Sequence, residues 1–402
     1  MRFGVIVNKG FEKAAVSHIR ELLDIKSVHV HDTFVVFETE DWKDVYRFVY
    51  MNQIANRVVY LIDELEYEVG VGDEEIILKK ISDSLNDPKK QDELFQNLID
   101  SDVDFRSSVH IDKETDNPYL ESEIGGFIIN YAKKHEKTVK VNLRNPTMNY
   151  YVYINNGQIF LGIDLSEDLS KRDYKLFNNA VSLKGPTAFG LLMIAGYSPK
   201  DSFMNPCCYS GTLEIEAALY ASGTSHRFYN KNFPFMKIAD KVLGTNEKYW
   251  ESFYKSIDSK RTEHKFDIVG SDKLLSSITA ASKNAKIAGV IGCLNFRRVD
   301  LDWMDLKYEE KSVDKIISFI PGSSKHTDMT KEYKQIFYQA EYILKNKGTM
   351  TVMCLSKDLL IESSKEYLDL DKTIPVFSGR QEMIILIFKK KPKSKKSDKD
   401  EE

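Results

Sequence analysis

The run Asn205-Pro206-Cys207-Cys208-Tyr209-Ser210-Gly211-Thr212 carries the residue types of a nucleotide cradle. Apolar Phe203 and Met204 precede it as a buried strand, and Leu213, Ile215, Ala217, Ala218 and Leu219 follow as a helix. A tight turn of small residues lets the backbone approach a ligand, and the N–H groups at the helix start bind its polar or anionic parts. Alone, such a turn is an ordinary strand-to-helix connection. A second unit adds weight: Phe266-Asp267-Ile268-Val269-Gly270-Ser271-Asp272 reads as a strand ending in an acid, where such folds accept hydrogen bonds from ribose hydroxyls. A third strand carries Phe296 and ends at Asp300, whose carboxylate can accept from an adenine amino group. Three such features in this order point to a ligand built on a nucleoside.

Those residues need a sheet to hold them. Strand and helix alternate over residues 185–390, which argues for a mostly parallel, Rossmann-like α/β sheet. Upstream, residues 2–7 alternate like a strand, and 10–24 carry apolar residues at helical spacing. Short strands at 28–31 and 34–37 follow, then a helix with Asp41 as its N-cap, then a strand at 57–62. The order β-α-β-β-α-β is that of a ferredoxin-like module, placed at 1–65. A second α+β unit at 66–165 has helical stretches at 74–85, 92–100 and 120–134, with strands at 104–111, 139–143, 149–154 and 158–163. Asn155-Asn156-Gly157 joins the last two as a hairpin turn. The polar stretch at 166–184 reads as a linker, and the charged tail at 391–402 is expected to be disordered.

With 402 residues, two or three domains are expected. No apolar run is long enough to cross a bilayer and the first residues turn polar too soon for a signal peptide, so no membrane association and a cytoplasmic location are expected. Cys207, Cys208, Cys293 and Cys354 show no CxxC spacing, and no metal site is expected. The formal net charge of −4 gives no global signature of nucleic-acid binding, so RNA contacts must come from local patches. Lys133, Lys134, Lys140 and Arg144 form one candidate, Lys171 and Arg172 another; a solvated helix end competes with each. No Walker-type loop, HExxH or GxSxG is present.

Ser182-Leu183-Lys184-Gly185-Pro186-Thr187, the 205–212 turn, Val269-Gly270-Ser271-Asp272, Asn284 and Ala288-Gly289-Val290 together resemble the THUMP-domain RNA methyltransferases, a group similar to the tRNA guanine-N2 methyltransferases. The resemblance covers nearly the whole chain. Asp104-Phe105-Arg106, Glu121-Ser122-Glu123-Ile124-Gly125-Gly126 and the run from Val139 to Pro146 look like the THUMP module, and 1–65 looks like its ferredoxin-like companion. An insertion between Ala221 and Lys265 sits where that family keeps one. The resemblance implies a class I methyltransferase domain at 185–390 with S-adenosylmethionine as cofactor. It implies that Asn205, Ser210, Gly211 and Thr212 line the methionine side, that Asp272 holds the ribose and that Asp300 holds the adenine. Thr187 matches a position near the cofactor carboxylate, with a helix-start hydroxyl as its other reading. The THUMP region would grip tRNA; a monomer is expected, and a small helper subunit is left open.

Three departures from that family bear on activity. Asn205 stands where the family has Asp, and Tyr209 where it has Gly. After Val313-Asp314-Lys315-Ile316-Ile317 the family has an Asn-Pro-Pro-Tyr-type motif, whose work is to aim an exocyclic amine at the methyl group and stack the base. This chain has Ser318-Phe319-Ile320-Pro321-Gly322-Ser323. Phe319 could stack, and the carbonyls of Ile320 and Pro321 could accept from the amine, which makes these three the candidate catalytic residues. His326 and Asp328 lie just beyond as polar alternatives. Two functions are therefore expected: an S-adenosylmethionine-dependent tRNA methyltransferase acting on guanine N2, or a catalytically degenerate tRNA-binding protein built on a methyltransferase scaffold.

Overall fold

The computed structural model describes residues 1–70, 73–87, 103–111, 117–178, 181–322 and 329–391. Two compact units divide the chain: 1–172 with 223–261, and 173–222 with 262 onward.

The first unit opens with β1 (Arg2–Ile6), α1 (Glu12–Leu22), β2 (Val28–His31), β3 (Phe34–Glu38), α2 (Trp42–Met51) and β4 (Arg57–Glu66). The Asp41 side chain accepts from the Lys43 N–H at 2.9 Å and caps α2. Next come α3 (Asp73–Leu85), β5 (Asp104–Ile111), α4 (Pro118–Lys134), β6 (Lys140–Val141), β7 (Met148–Asn155) and β8 (Gln158–Asp164). Asn156 and Gly157 hold φ values of 47° and 78°, the backbone that a two-residue hairpin turn demands. The helix expected at 92–100 lies outside the described residues.

All eight strands form one sheet in the order β2-β3-β1-β4-β8-β7-β5-β6. The boundary expected after residue 65 falls inside that sheet, because β4 pairs antiparallel with both β1 and β8. Phe34, Val36, Val59, Tyr151, Tyr153 and Phe160 share one apolar cluster over this join, where the Phe34 and Phe160 rings stack at 3.8 Å. Arg57 pairs with the fully buried Asp164 and lies over the Tyr151 ring at 4.4 Å. The stretch read as a linker starts as part of this core, with Leu165, Leu169 and Arg172 buried.

The second unit begins with α5 (Gly185–Ile194), β9 (Phe203–Asn205) and α6 (Thr212–Ser222). The chain then returns to the first unit for α7 (Pro234–Val242) and α8 (Glu247–Asp258). There the Tyr46 ring of α2 stacks on Phe235 at 4.7 Å and meets the edge of Trp250 at 5.3 Å. The second unit resumes with β10 (Ile268–Asp272), α9 (Leu275–Ile287), β11 (Asn295–Arg298), β12 (Val313–Ile320), α10 (Thr330–Ile343), β13 (Leu344–Cys354), α11 (Asp358–Ser364), β14 (Leu368–Ser378) and β15 (Gln381–Lys390). Its seven strands run in the order β11-β10-β9-β12-β13-β15-β14. They are parallel from β11 to β13, and β15 is antiparallel to both β13 and β14. From β9 the chain steps outward through β10 to β11, then crosses to β12 on the other side. The strand order therefore reverses at β9, and the crevice beyond the carboxyl ends of β9 and β12 is where such sheets bind ligands.

Candidate active site

β9 ends at Asn205, whose side-chain oxygen accepts from the Cys207 N–H at 3.1 Å. The Cys208 N–H donates to the Ser271 carbonyl at 2.8 Å and ties the turn to β10. Tyr209 and Gly211 both hold positive φ, 49° and 79°. At Gly211 a Cβ would come within 2.8 Å of Ala281 and Phe296, so packing as well as backbone requires glycine there. At Tyr209 a bulky residue holds a left-handed backbone, a strain of about 1 kcal/mol or more. The fully buried Asn284 of α9 steadies the turn by donating to the Ser210 and Phe177 carbonyls at 3.0 and 2.9 Å, while its oxygen takes the Phe177 N–H.

A cavity of about 730 Å³ opens past the strand ends, with Asp272, Asp300, Ile320, Pro321, Tyr333 and Tyr209 in its wall. Asp272, 7% exposed, accepts from the Tyr209 N–H at 3.2 Å and the Leu274 N–H at 2.9 Å. Asp300 is exposed and caps the short 3-10 turn Leu301–Trp303. Val299, Leu301 and Ile336 supply apolar wall. A second hollow of only about 20 Å³ is lined by Ser182, Asn205, Ser210, Thr212 and Phe319. Cys207 and Tyr209 belong to both walls. Burial, then the neighbouring Cys207 and Asp272, push the Tyr209 phenol above its usual range, and burial pushes the Cys207 thiol up to about 12; both stay neutral.

The structure thus brings Asp272, Asp300, Ile320 and Pro321 to the large cavity, and Asn205, Ser210, Thr212 and Phe319 to the small one. Gly211 packs behind the turn, and Thr187 is fully buried with its hydroxyl 3.2 Å from that of Ser378; neither lines either hollow. The segment that stands in place of the Asn-Pro-Pro-Tyr-type motif begins as strand: Ser318 and Phe319 pair with Val352 and Met353 inside β12, and Phe319 is 6% exposed. Its ring faces the small hollow, away from the role of an open stacking platform. Ser323, His326 and Asp328 lie outside the described residues.

Of the candidate RNA contacts, Lys133, Lys134, Lys140 and Arg144 are exposed at the end of α4 and around β6, and Lys171 is exposed. Arg172 is a correction. It is buried, and its guanidinium donates to the Gln53 carbonyl at 2.7 Å and to that of Leu169. The Gln53 carbonyl just after α2 and the Leu169 carbonyl near the chain's exit from the first unit need a donor, and Arg172 supplies it. Replacing Arg172 with Ala is expected to cost about 2–4 kcal/mol in urea unfolding, against less than about 0.5 for Lys171→Ala.

Glu214 carries no signal of its own in a helix of mixed pattern, yet it is 0% exposed directly behind the turn. Neither carboxyl oxygen meets hydrogen-bond geometry with a partner among the described residues. Burial pushes it up to about 8; its own backbone N–H and the nearby Asn205 side chain pull the other way. An acid between Leu213 and Ile215, followed two residues on by Glu216, is too common a pattern to single it out. Tyr333, 3% exposed on α10, was also missed, because only the fold brings it to the cavity.

Replacing Tyr209 with Gly should relax the strained φ and merge the two hollows. Affinity for S-adenosylhomocysteine is expected to rise by roughly tenfold in calorimetry; unchanged or weaker binding would show that the phenol is part of the seat.

The family described as UPF0020, RMKL-like, methyltransferase domain matches residues 172–379. The tRNA (guanine(6)-N2)-methyltransferase of Archaeoglobus fulgidus is 27% identical over 184 residues, 45% of this chain and 43% of that protein. Its Methanocaldococcus jannaschii counterpart is 28% identical over 194 residues, 46% and 48%. The ribosomal RNA large subunit methyltransferase K/L of Buchnera aphidicola (strain APS) is 26% identical over 234 residues, 54% and 32%. The chain spans less than half the length of these curated relatives. Among solved structures, one from Clostridium difficile 630, described as a possible methylase, matches with TM-score 0.77 and 21% identity over 98% of this chain and 99% of that one. SMU.472, described as a candidate methyltransferase complexed with SAH, matches with TM-score 0.76 and 15% identity over the same shares.

Proposed function

The chain belongs to the UPF0020, RMKL-like methyltransferase family, and from that premise we propose that it transfers a methyl group from S-adenosylmethionine to an RNA base, with guanine N2 of tRNA as the target. The observation that carries this reading is the cavity of about 730 Å³ at the strand-order reversal, with carboxylates at the ends of two adjacent strand connections. Its volume suits a nucleoside-bearing ligand. Asp272 keeps acceptor capacity beside the two N–H groups it already holds, enough for ribose hydroxyls. Asp300, next to apolar Val299 and Leu301, can accept from an adenine amine. The residues present fit S-adenosylmethionine, the cofactor of this fold.

The bound cofactor supplies an already activated methyl group, so the chain's own work is to bind and aim. Ile320 and Pro321 border the cavity, and we assign their carbonyls the exocyclic amine N–H groups, which would leave the nitrogen lone pair free to attack. The amine proton passes to water. The basic residues Lys133, Lys134, Lys140 and Arg144 would bind RNA phosphates in the THUMP-like part of the first unit. Mass spectrometry of tRNA nucleosides after incubation with labelled cofactor tests the reading. N2-methylguanosine is the expected product.

A second reading draws on Tyr209 and the 20 Å³ hollow: a protein that binds tRNA while its methyltransferase half serves as scaffold. Good tRNA binding with no affinity for S-adenosylhomocysteine would favour it.

A further inference from the structure

Strand order sets the direction in which a nucleoside-linked ligand runs across the cavity. β11, β10 and β9 lie side by side and parallel. Asp300 follows β11 and Asp272 ends β10. C1′ and C5′ leave a ribose on opposite sides, so an adenine held at Asp300 and a ribose held at Asp272 aim the 5′ substituent at the end of β9. What stands there is a partition. Cys207 and Tyr209 face the 730 Å³ cavity on one side and the 20 Å³ hollow on the other. On the cavity side the end of β9 offers only Pro206, Cys207 and Tyr209. The polar side chains of the turn lie behind them and are engaged with their neighbours. There the Ser182 and Ser210 hydroxyls are 2.9 Å apart, and the Asn205 oxygen holds the Cys207 N–H. The hollow has room for about one water molecule, several times less than an amino-acid tail with its ammonium and carboxylate needs.

Tyr209 is the member of the partition that can move. Its N–H is fixed to Asp272, but its half-buried phenol makes no hydrogen bond or ring stack among the described residues. The backbone nevertheless holds a left-handed φ of 49° under this bulky side chain, and neither core packing nor a bond of the phenol offsets that strain. We propose that Tyr209 is a specificity gate. With the ring in this position the chain accepts adenosine-type nucleosides bearing a short 5′ substituent, and the ring must swing aside to admit the amino-acid tail of S-adenosylmethionine. The proposal rests on the reading that the large cavity holds an adenosine moiety between Asp272 and Asp300. The apparent affinity of any tailed ligand falls by the fraction of molecules whose gate is open. A nucleoside ending in a methylthio group keeps the ribose and adenine contacts and avoids that loss.

Calorimetry of the full chain with 5′-deoxy-5′-methylthioadenosine and with S-adenosylhomocysteine tests the gate. The parent protein is expected to bind the tail-less nucleoside at least as tightly as S-adenosylhomocysteine. Tyr209→Gly should tighten S-adenosylhomocysteine about tenfold and leave methylthioadenosine within about threefold of the parent. Tyr209→Phe keeps the ring and should keep the parent's ranking. A parent that binds S-adenosylhomocysteine about tenfold tighter than methylthioadenosine overturns the gate and leaves the nucleoside seat standing. So does a Tyr209→Gly variant that tightens both ligands alike or neither. The parent's own ranking decides even where Tyr209→Gly does not fold. If neither ligand binds the parent, the gate and the nucleoside seat fall together.

Discussion

Replacing Asp272 with Ala is expected to weaken S-adenosylhomocysteine binding by roughly 30-fold or more, read by calorimetry at pH 7.5. Two losses add. On the proposed reading the carboxylate takes ribose hydroxyls, and hydrogen bonds to a charged acceptor are worth about 1.5–3 kcal/mol each. The same carboxylate holds the Tyr209 and Leu274 N–H groups, so its removal also loosens the turn that shapes the cavity. Asp272→Asn retains an acceptor oxygen and should lose less. An affinity within threefold of the parent for Asp272→Ala would place the nucleoside elsewhere.

The second large effect concerns stability. Glu214 has its proton affinity raised by burial to about 8, against 4.5 for the exposed side chain. The folded state therefore binds the proton more tightly than the unfolded one. The stability that comes with this is fully present below pH 4.5 and is lost as pH rises through the window up to 8. Glu214→Gln removes the ionisation. Its Tm should match the parent near pH 4.5 and exceed it by roughly 5–10 °C at pH 8.5, the equivalent of several kcal/mol in a unit of this size. A constant Tm difference across that range would mean that the acid does not titrate in the folded protein.

Much of the fold could be read from local pattern. The strands at 104–111 and 268–272, the capped helix after Asp41 and the hairpin at Asn156-Gly157 announce themselves through alternation, caps and turn residues. The order of elements in the second unit was legible for the same reason. Long-range pairing was not. That β4 joins β8 depends on Phe34 meeting Phe160 and Arg57 meeting Asp164, contacts between residues more than a hundred positions apart that leave no periodicity behind. Site residues divide along the same line. Asp272 ends β10 and Asp300 lies two residues past β11, positions the strand pattern made visible. The apolar run Ile316 to Ile320 continues β12, which puts Phe319 within the sheet, a placement the motif comparison did not address. Arg172 looked like surface charge because its two carbonyl partners are set only by the folded chain.

The aromatic helix pair at 234–258 belongs to the first unit yet is encoded inside the second. During synthesis the ribosome must finish β9 and α6 before the residues that cover Tyr46 emerge, so the early lobe waits, incomplete, on the later one. A recombination breakpoint at residue 172 would strand those helices with the wrong half. Separating the two lobes takes three cuts, at 172/173, 222/223 and 261/262, rather than one.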